Sequence, residues 1–145
     1  MGLKMKGDPI PDQDHIARLC GFKHAPEGQI QATAFLLRPE DHYLSVDWLE
    51  FFGYSDRIEQ IEELRNAYTL RLNRVGAKST IAVLNVGEVC DIVKNESDDA
   101  RVLEILHEPL ENSPSHSGIY NLRHDDELIA ELILETVCET YSARS

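Results

Sequence analysis

The sequence contains little cysteine, and its three cysteines are widely separated. Cys20, Cys90 and Cys138 form an odd-numbered set without a CxxC pair, and each lies within an apolar segment. A disulfide framework requires an even set in a small secreted chain, and common zinc and redox motifs require closely spaced pairs. The cysteine pattern therefore predicts reduced, buried thiols.

The chain also lacks long hydrophobic runs. None approaches the roughly 18 apolar residues that a membrane-spanning helix needs. The basic start at residues 1–6 is not followed by the apolar core of a secretory signal. Gly2 meets one requirement of a myristoylation motif, but Lys6 stands where that motif needs Ser or Thr. We predict a cytoplasmic protein without membrane contact.

Basic residues are few: 14 Lys and Arg stand against 26 Asp and Glu, for a net charge of −12. This charge argues against nucleic acid as a partner. It is consistent with a well-solvated surface, or with attraction to a protein partner that has a basic surface. No Gly-x-Ser-x-Gly nucleophile turn and no Asp-x-Asp-x-Asp-Gly calcium loop occurs, and we predict neither a cofactor nor a metal.

The length of 145 residues indicates one domain that can bury most of its apolar surface. Residues 1–13 contain Gly7, Pro9 and Pro11 without a periodic pattern, which predicts a flexible N-terminal tail. Residues 14–145 then form a single α+β domain. Its expected sheet is mostly antiparallel, with five to six strands packed against two main helices.

The predicted elements follow from hydrophobic periodicity and turn residues. Two strands at 29–37 and 44–48, joined by a turn at 39–42, form a predicted hairpin. Residues 88–94 fit a helix or a strand equally well. The remaining predictions are strands at 15–22, 79–86 and 102–106, a loop through 117, and helices over 55–70 and from 125 or 126 to 141.

Two histidines lie on the loop that follows the predicted strand 102–106. His107 and His116 could face one point and supply acid/base chemistry, with Glu108 and Glu111 close enough to orient a ring. The start of a zincin motif is broken by Pro109, which prevents the required helix. The alternative is that both are exposed loop histidines.

A Ser/His/Asp set occurs in the predicted strand 44–48. Ser45 and Asp47 would share the face opposite the core, and His42 precedes them. His42 is only three residues from Ser45 on the same strand, which is poor geometry for activating a nucleophile. The simpler interpretation is polar residues on a solvated strand face.

A basic cluster occurs between residues 64 and 87, where no acidic residue is present. Arg71, Arg74 and Lys78 could converge on a phosphate or carboxylate, and so form a site for a small anionic ligand. The alternative is that these bases pair with the excess carboxylates of the molecule itself.

Residues 88–111 hold eight carboxylates against Lys94 and Arg101, which indicates a solvated rim or a docking face for a basic protein. The candidate interaction residues are the aromatic Trp48 and Phe52 and the acidic Glu108 and Glu111.

Three functions are therefore open. We favour an accessory or regulatory subunit of a larger assembly. The first alternative is a small enzyme acting on a phosphorylated or nucleotide-like ligand, by phosphodiester cleavage or ADP-ribosyl-type transfer. It would use the histidine loop and the basic cluster. The second is an acidic, antitoxin-like inhibitor that blocks a basic cleft.

Overall fold

The computed structural model describes residues 6–71, 75–76 and 78–144, with the backbone alone at Arg71. The strands are β1 His15–Cys20, β2 Leu44–Trp48, β3 Thr80–Asn85, β4 Glu104–His107, β5 His116–Tyr120 and β6 Val137–Ser142. The α-helices are α1 Arg57–Arg71, α2 Val86–Glu96 and α3 Glu127–Glu135. Short 3-10 turns occupy Phe22–His24, Pro26–Gly28, Ala32–Phe35 and Leu49–Phe52.

All six strands belong to one antiparallel sheet in the order β4-β5-β2-β1-β3-β6. The α+β prediction with a mostly antiparallel sheet of five to six strands is confirmed. Three helices pack against the sheet where two were expected, because the ambiguous residues 88–94 are helical. The side chain of Asn85 accepts a hydrogen bond from the backbone N–H of Glu88 and caps that helix.

The two faces of the sheet carry separate hydrophobic clusters because successive side chains of a strand point to opposite faces. On one face, Ile16 and Leu84 pack with Val89 of α2 and Ile133 of α3. On the other face, a second cluster lies beneath α1. Its buried members are Ala17, Leu49, Ile61, Leu64, Tyr68, Ile81, Val83 and Ala143.

Helix α1 covers only half of its sheet face. Among the described residues, the cluster beneath α1 includes side chains from β1, β3 and β6, but none from β2, β4 or β5. We call these the covered half and the open half of this face. The open half carries side chains that no helix buries in a hydrophobic cluster.

The predicted hairpin over residues 29–48 is wrong. Ala34 and Phe35 are both buried although adjacent, which a strand with one buried face does not allow, and residues 32–35 form a 3-10 turn. Strand β2 pairs instead with β1 and β5. Alternation of small apolar residues in residues 29–37 was compatible with either conformation.

The predicted C-terminal helix is too long. It ends at Glu135, where the Thr136 hydroxyl donates to the carbonyl of Ile133 at 2.7 Å. The β-branched and aromatic residues that follow form β6, which pairs with β3. This pairing provides hydrogen-bond partners for the backbone N–H and C=O groups along β3. The helical periodicity of the sequence gives no sign that β3 needs such a partner strand.

Part of the predicted N-terminal tail is docked against β4. The Gly7 N–H donates to the His107 carbonyl at 2.6 Å, and the Ile10 N–H donates to the Ile105 carbonyl at 3.0 Å. Ile10 is buried in the larger hydrophobic cluster, which gives this pairing an apolar anchor. Residues 1–5 lie outside the described part of the chain. No helix in the described ranges is long and apolar enough to cross a membrane.

Candidate functional site

The two predicted site histidines point to opposite faces of the sheet. His107 pairs across from Ser117, and His116 is the next residue along β5. Because adjacent strand residues face opposite sides, the imidazoles of His107 and His116 do not converge. The loop that connects them separates the two side chains rather than folding them onto one point.

His107 is a core residue. Its imidazole is 1% exposed, and its ring lies 5.3 Å from the rings of both Trp48 and Phe51. Nε2 is 2.8 Å from the Pro114 carbonyl, an acceptor, which places the proton on Nε2. Within the described residues Nδ1 has no hydrogen-bond partner. Packing accounts for this histidine without a role in acid/base chemistry.

His116 lies on the open half and contacts Ser45. Its Nδ1 is 2.9 Å from the Glu108 carbonyl, so the neutral ring carries its proton on Nδ1. Nε2 is then an acceptor, 3.3 Å from the Ser45 hydroxyl. Ser45 is exposed, whereas His116 is 5% exposed. A base fixed by a third group beside an accessible hydroxyl is the general arrangement of an activated nucleophile.

A chain of polar groups extends from this pair below the surface. Asp47 is the register partner of His116 and is 3% exposed. The Ser115 hydroxyl donates to Oδ1 of Asp47 at 3.0 Å, and the Ser117 hydroxyl donates to the Ser115 carbonyl at 3.0 Å. These bonds fix the carboxyl group of Asp47 close to the strand that carries His116.

Two tyrosines border the pair. The Tyr43 ring lies 5.8 Å from the His116 ring and 5.0 Å from the Tyr120 ring. Tyr43 crosses directly over Gly118, where an added Cβ would be 2.3 Å from Cδ1 of Tyr43. The Tyr120 hydroxyl donates to the Glu108 carboxylate. Burial is the largest cause that raises the pKa of Tyr120 well above its usual range, and this hydrogen bond is the second.

The sequence indicates Ser45 and Asp47 with His42 before them, whereas the structure places His116 next to Ser45. His42 is exposed, and His116, 71 residues from Ser45, takes the position near the hydroxyl. Ser45 pairs with Gly118 and Asp47 with His116, so Ser45 and His116 are diagonal neighbours across β2 and β5. No local spacing signals a contact of this kind.

Lys78, the residue of the basic cluster whose side chain is described, does not join the His116 site. The side chain of Arg71 and the whole of Arg74 lie outside the described residues. Lys78 is exposed, with Nζ 5.2 Å from the centre of the Phe22 ring, and lines a shallow cavity of about 460 Å³. His116 on β5 is separated from β3 by three strand spacings, and Lys78 lies five residues before the β3 position level with His116. Lys78 is therefore roughly 20 Å from His116. Lys78 and His116 therefore do not share one cleft.

The aromatic contacts expected for a partner are largely internal. Trp48 is 7% exposed, and its Nε1–H donates to Oδ2 of Asp14 at 2.9 Å. Phe52 is half-buried against the cluster beneath α1. Glu108 is half-buried beside Tyr120, and Glu111 is exposed on the loop. Trp48 is thus lost as a contact surface.

An acidic groove lies between the end of α2 and helix α3, with a volume of about 380 Å³. We call it the α2–α3 groove. Its carboxylates are Glu96, Asp98, Asp99, Asp126, Glu131 and Glu135, and its apolar lining is Leu128, Ile129 and Leu132. Among the lining residues that the structure describes, Arg101 is the one base, and it contacts Asp99 at 2.9 Å and Asp126 at 2.7 Å. Leu128 is 67% exposed.

The cysteines do not form a reactive site in the described structure. All three are free thiols, and burial raises the pKa of both Cys20 and Cys90 to about 11. Cys138 is exposed on β6, so the prediction of buried thiols is wrong for this residue. The described residues contain no group of three or more His, Cys, Asp or Glu side chains placed to hold a metal ion.

The chain matches no protein-family model, no curated protein and no solved structure.

Proposed function

We propose that this chain is a small acidic cytoplasmic interaction protein, an accessory or regulatory subunit that binds a basic, amphipathic segment of a partner protein. The observation that carries the proposal is the α2–α3 groove. Six carboxylates and three apolar side chains line it together, and Arg101, the one base among its described lining residues, is already paired with two of those carboxylates.

The composition of the groove favours a partner with both basic and apolar side chains. Leu128 leaves two thirds of its surface exposed on α3, and burying it against a partner would remove apolar area from water. Glu131 and Glu135 follow on the same helix, one and two turns away, so basic partner residues would meet carboxylates beside the apolar contact. Charge would then set the association rate and orientation, while Leu128 supplies burial.

This proposal moves the contact surface from Trp48 and Phe52 to α3. The acidic character expected for residues 88–111 is retained, because Glu96, Asp98 and Asp99 line the groove. An inhibitor that blocks a basic cleft would use the same surface. The phosphorylated-ligand enzyme receives no comparable support, since Lys78 is far from His116 and the two histidines face opposite sides of the sheet.

Fluorescence anisotropy with two labelled peptides tests the proposal. One peptide is an amphipathic Lys/Leu helix, and the other has the same charge with Ser in place of Leu. We expect the Lys/Leu peptide to bind at least about tenfold more tightly, a difference of about 1.4 kcal/mol. Leu128→Ser should remove most of that preference, because it removes the exposed apolar contact.

Matched variants separate the groove from the overall negative charge. Glu131→Lys should weaken Lys/Leu peptide binding about tenfold, whereas Glu59→Lys on the exposed surface of α1 should leave it nearly unchanged. Leu70→Ser provides the apolar control, since Leu70 is 78% exposed but outside the groove. Equal binding of both peptides, or equal weakening by Glu59→Lys, would contradict the proposal.

A further inference from the structure

We propose a second activity on the open half of the sheet: Ser45 and His116 act as nucleophile and general base toward an uncharged carboxylic ester. The inference is independent of the α2–α3 groove. It rests on the 3.3 Å contact between the Ser45 hydroxyl and Nε2 of His116, and on the 2.9 Å contact that holds Nδ1 at the Glu108 carbonyl.

The tautomer of His116 decides which atom donates in its contact with Ser45. A backbone carbonyl only accepts, so Nδ1 of the neutral ring must donate to Glu108 and Nε2 must present its lone pair. The hydroxyl of Ser45 is the donor in reach of that lone pair. Catalytic hydrogen bonds are often long before substrate binds, so 3.3 Å is within the range expected for an unoccupied nucleophile–base pair.

Strand geometry makes the pair rigid. Ser45 and His116 stand on adjacent strands in a register fixed by four paired positions along β2 and β5. Sites built on strands hold their side chains more precisely than sites on loops. The exposed partner is Ser45 and the shielded partner is His116, so a ligand on the sheet surface would reach the hydroxyl first.

The surroundings select the substrate class. Asp47 is opposite His116, and its carboxyl group would stabilise the imidazolium that forms when Ser45 loses its proton. The carboxylate of Glu108 is also near, held by the Tyr120 hydroxyl. An anionic phosphate would meet these acidic groups, whereas a neutral ester would not be repelled. Tyr43 supplies an aromatic wall against which its apolar part could pack.

The chemical step is balanced without a cofactor. Ser45 Oγ attacks the ester carbonyl carbon while its proton moves to Nε2 of His116. The tetrahedral intermediate collapses, the bond to the alcohol oxygen breaks, and His116 returns the proton to the departing alcohol. Water, deprotonated by His116, then attacks the acyl-Ser45 ester, which releases the carboxylic acid and restores the hydroxyl.

Covalent labelling tests the pair directly. An uncharged alkyl fluorophosphonate should add one phosphonyl group to Ser45 as fluoride leaves, and peptide mass spectrometry locates the adduct. We expect Ser45→Ala to abolish labelling and Ser55→Ala, at another exposed serine, to leave its rate unchanged. An adduct at another residue, or equal labelling of Ser45→Ala, would overturn the proposal.

The role of His116 is tested by comparison with the histidine that the sequence indicated. His116→Gln should slow labelling at least about a hundredfold, in line with loss of a general base, whereas His42→Gln should have no effect. The wild-type rate should also fall at acid pH, because a protonated imidazole accepts no proton. This measurement does not depend on the folding of a variant. A rate that is flat with pH, or slowed equally by His42→Gln, would contradict the assignment.

Discussion

The two halves of the sheet face beneath α1 share one strand geometry but differ in what their side chains do. In the covered half, Ala17, Ile81 and Val83 pack under the helix. In the open half, Ser45 and His116 lie on the same sheet face and form a polar contact, in which Ser45 is exposed and His116 is buried. Strand alternation thus assigns a residue to a face, while the packing of a helix decides whether that part of the face joins a hydrophobic cluster.

The largest difference between the halves should appear in stability. Leu64→Ala removes a fully buried side chain of α1 over the covered half and should lower the free energy of unfolding by about 2–5 kcal/mol. Ser45→Ala in the open half should change it by less than about 0.5 kcal/mol, because Ser45 is exposed. Urea unfolding followed by circular dichroism measures both. Similar losses for the two variants would remove the distinction.

A smaller effect is expected where the open half is tightly packed. Gly118→Ala places a Cβ 2.3 Å from the Tyr43 ring, so the ring must move, and we expect a loss of about 1–3 kcal/mol. Adding Tyr43→Ala should recover part of that loss, because the clashing ring is then absent. A double-mutant cycle by urea unfolding gives the coupling. Strictly additive effects would show that Tyr43 is not the obstacle.

The smallest expected effect is on the free energy of unfolding at alkaline pH, where one tyrosine from each half can be compared. Burial, then the hydrogen bond to Glu139, raises the pKa of Tyr141 to about 12, and the pKa of Tyr120 is raised for the matching reason beside Glu108. The folded state therefore holds these protons more tightly than the unfolded state. Their contribution is fully present below about pH 10 and declines as pH rises through the folded pKa values.

Unfolding free energies measured between about pH 9 and pH 11 test this behaviour. Tyr120→Phe and Tyr141→Phe should each flatten the decline of stability with rising pH, while Tyr54→Phe, at an exposed tyrosine, should not. A decline that remains equally steep in Tyr120→Phe would indicate that the bond to Glu108 does not persist in solution.

Local patterns predicted the elements whose hydrophobic period is unambiguous. Strands β1, β2 and β3 and helix α1 lie within a few residues of the predicted ranges. The errors fall at 29–37 and 136–141, where the same residues fit two conformations in isolation, and at 116–120, where β5 begins inside the predicted loop. Helix α3 ends at Glu135, and the residues after Thr136 form β6, which pairs with the edge of β3.

The candidate site was predicted as separate parts. Ser45, Asp47 and His116 were all singled out, but Ser45 was matched with His42, and His116 was matched with His107. Alternation places His107 and His116 on opposite faces once both are in paired strands. That conclusion requires knowing that residues 116–120 form a strand, whereas the proline-rich sequence before them predicts a loop.

The α+β class, the acidic surface and the positions of the strongly periodic elements follow from the amino-acid sequence. Composition and local periodicity depend only on residues that are close in the sequence, so they can be interpreted without knowledge of the fold. Tertiary structure alone decided that β5 lies beside β2, that α1 leaves half a sheet face open, and that His116 faces Ser45. These outcomes depend on pairing and packing between residues far apart in the chain, whose relative free energies no local pattern records.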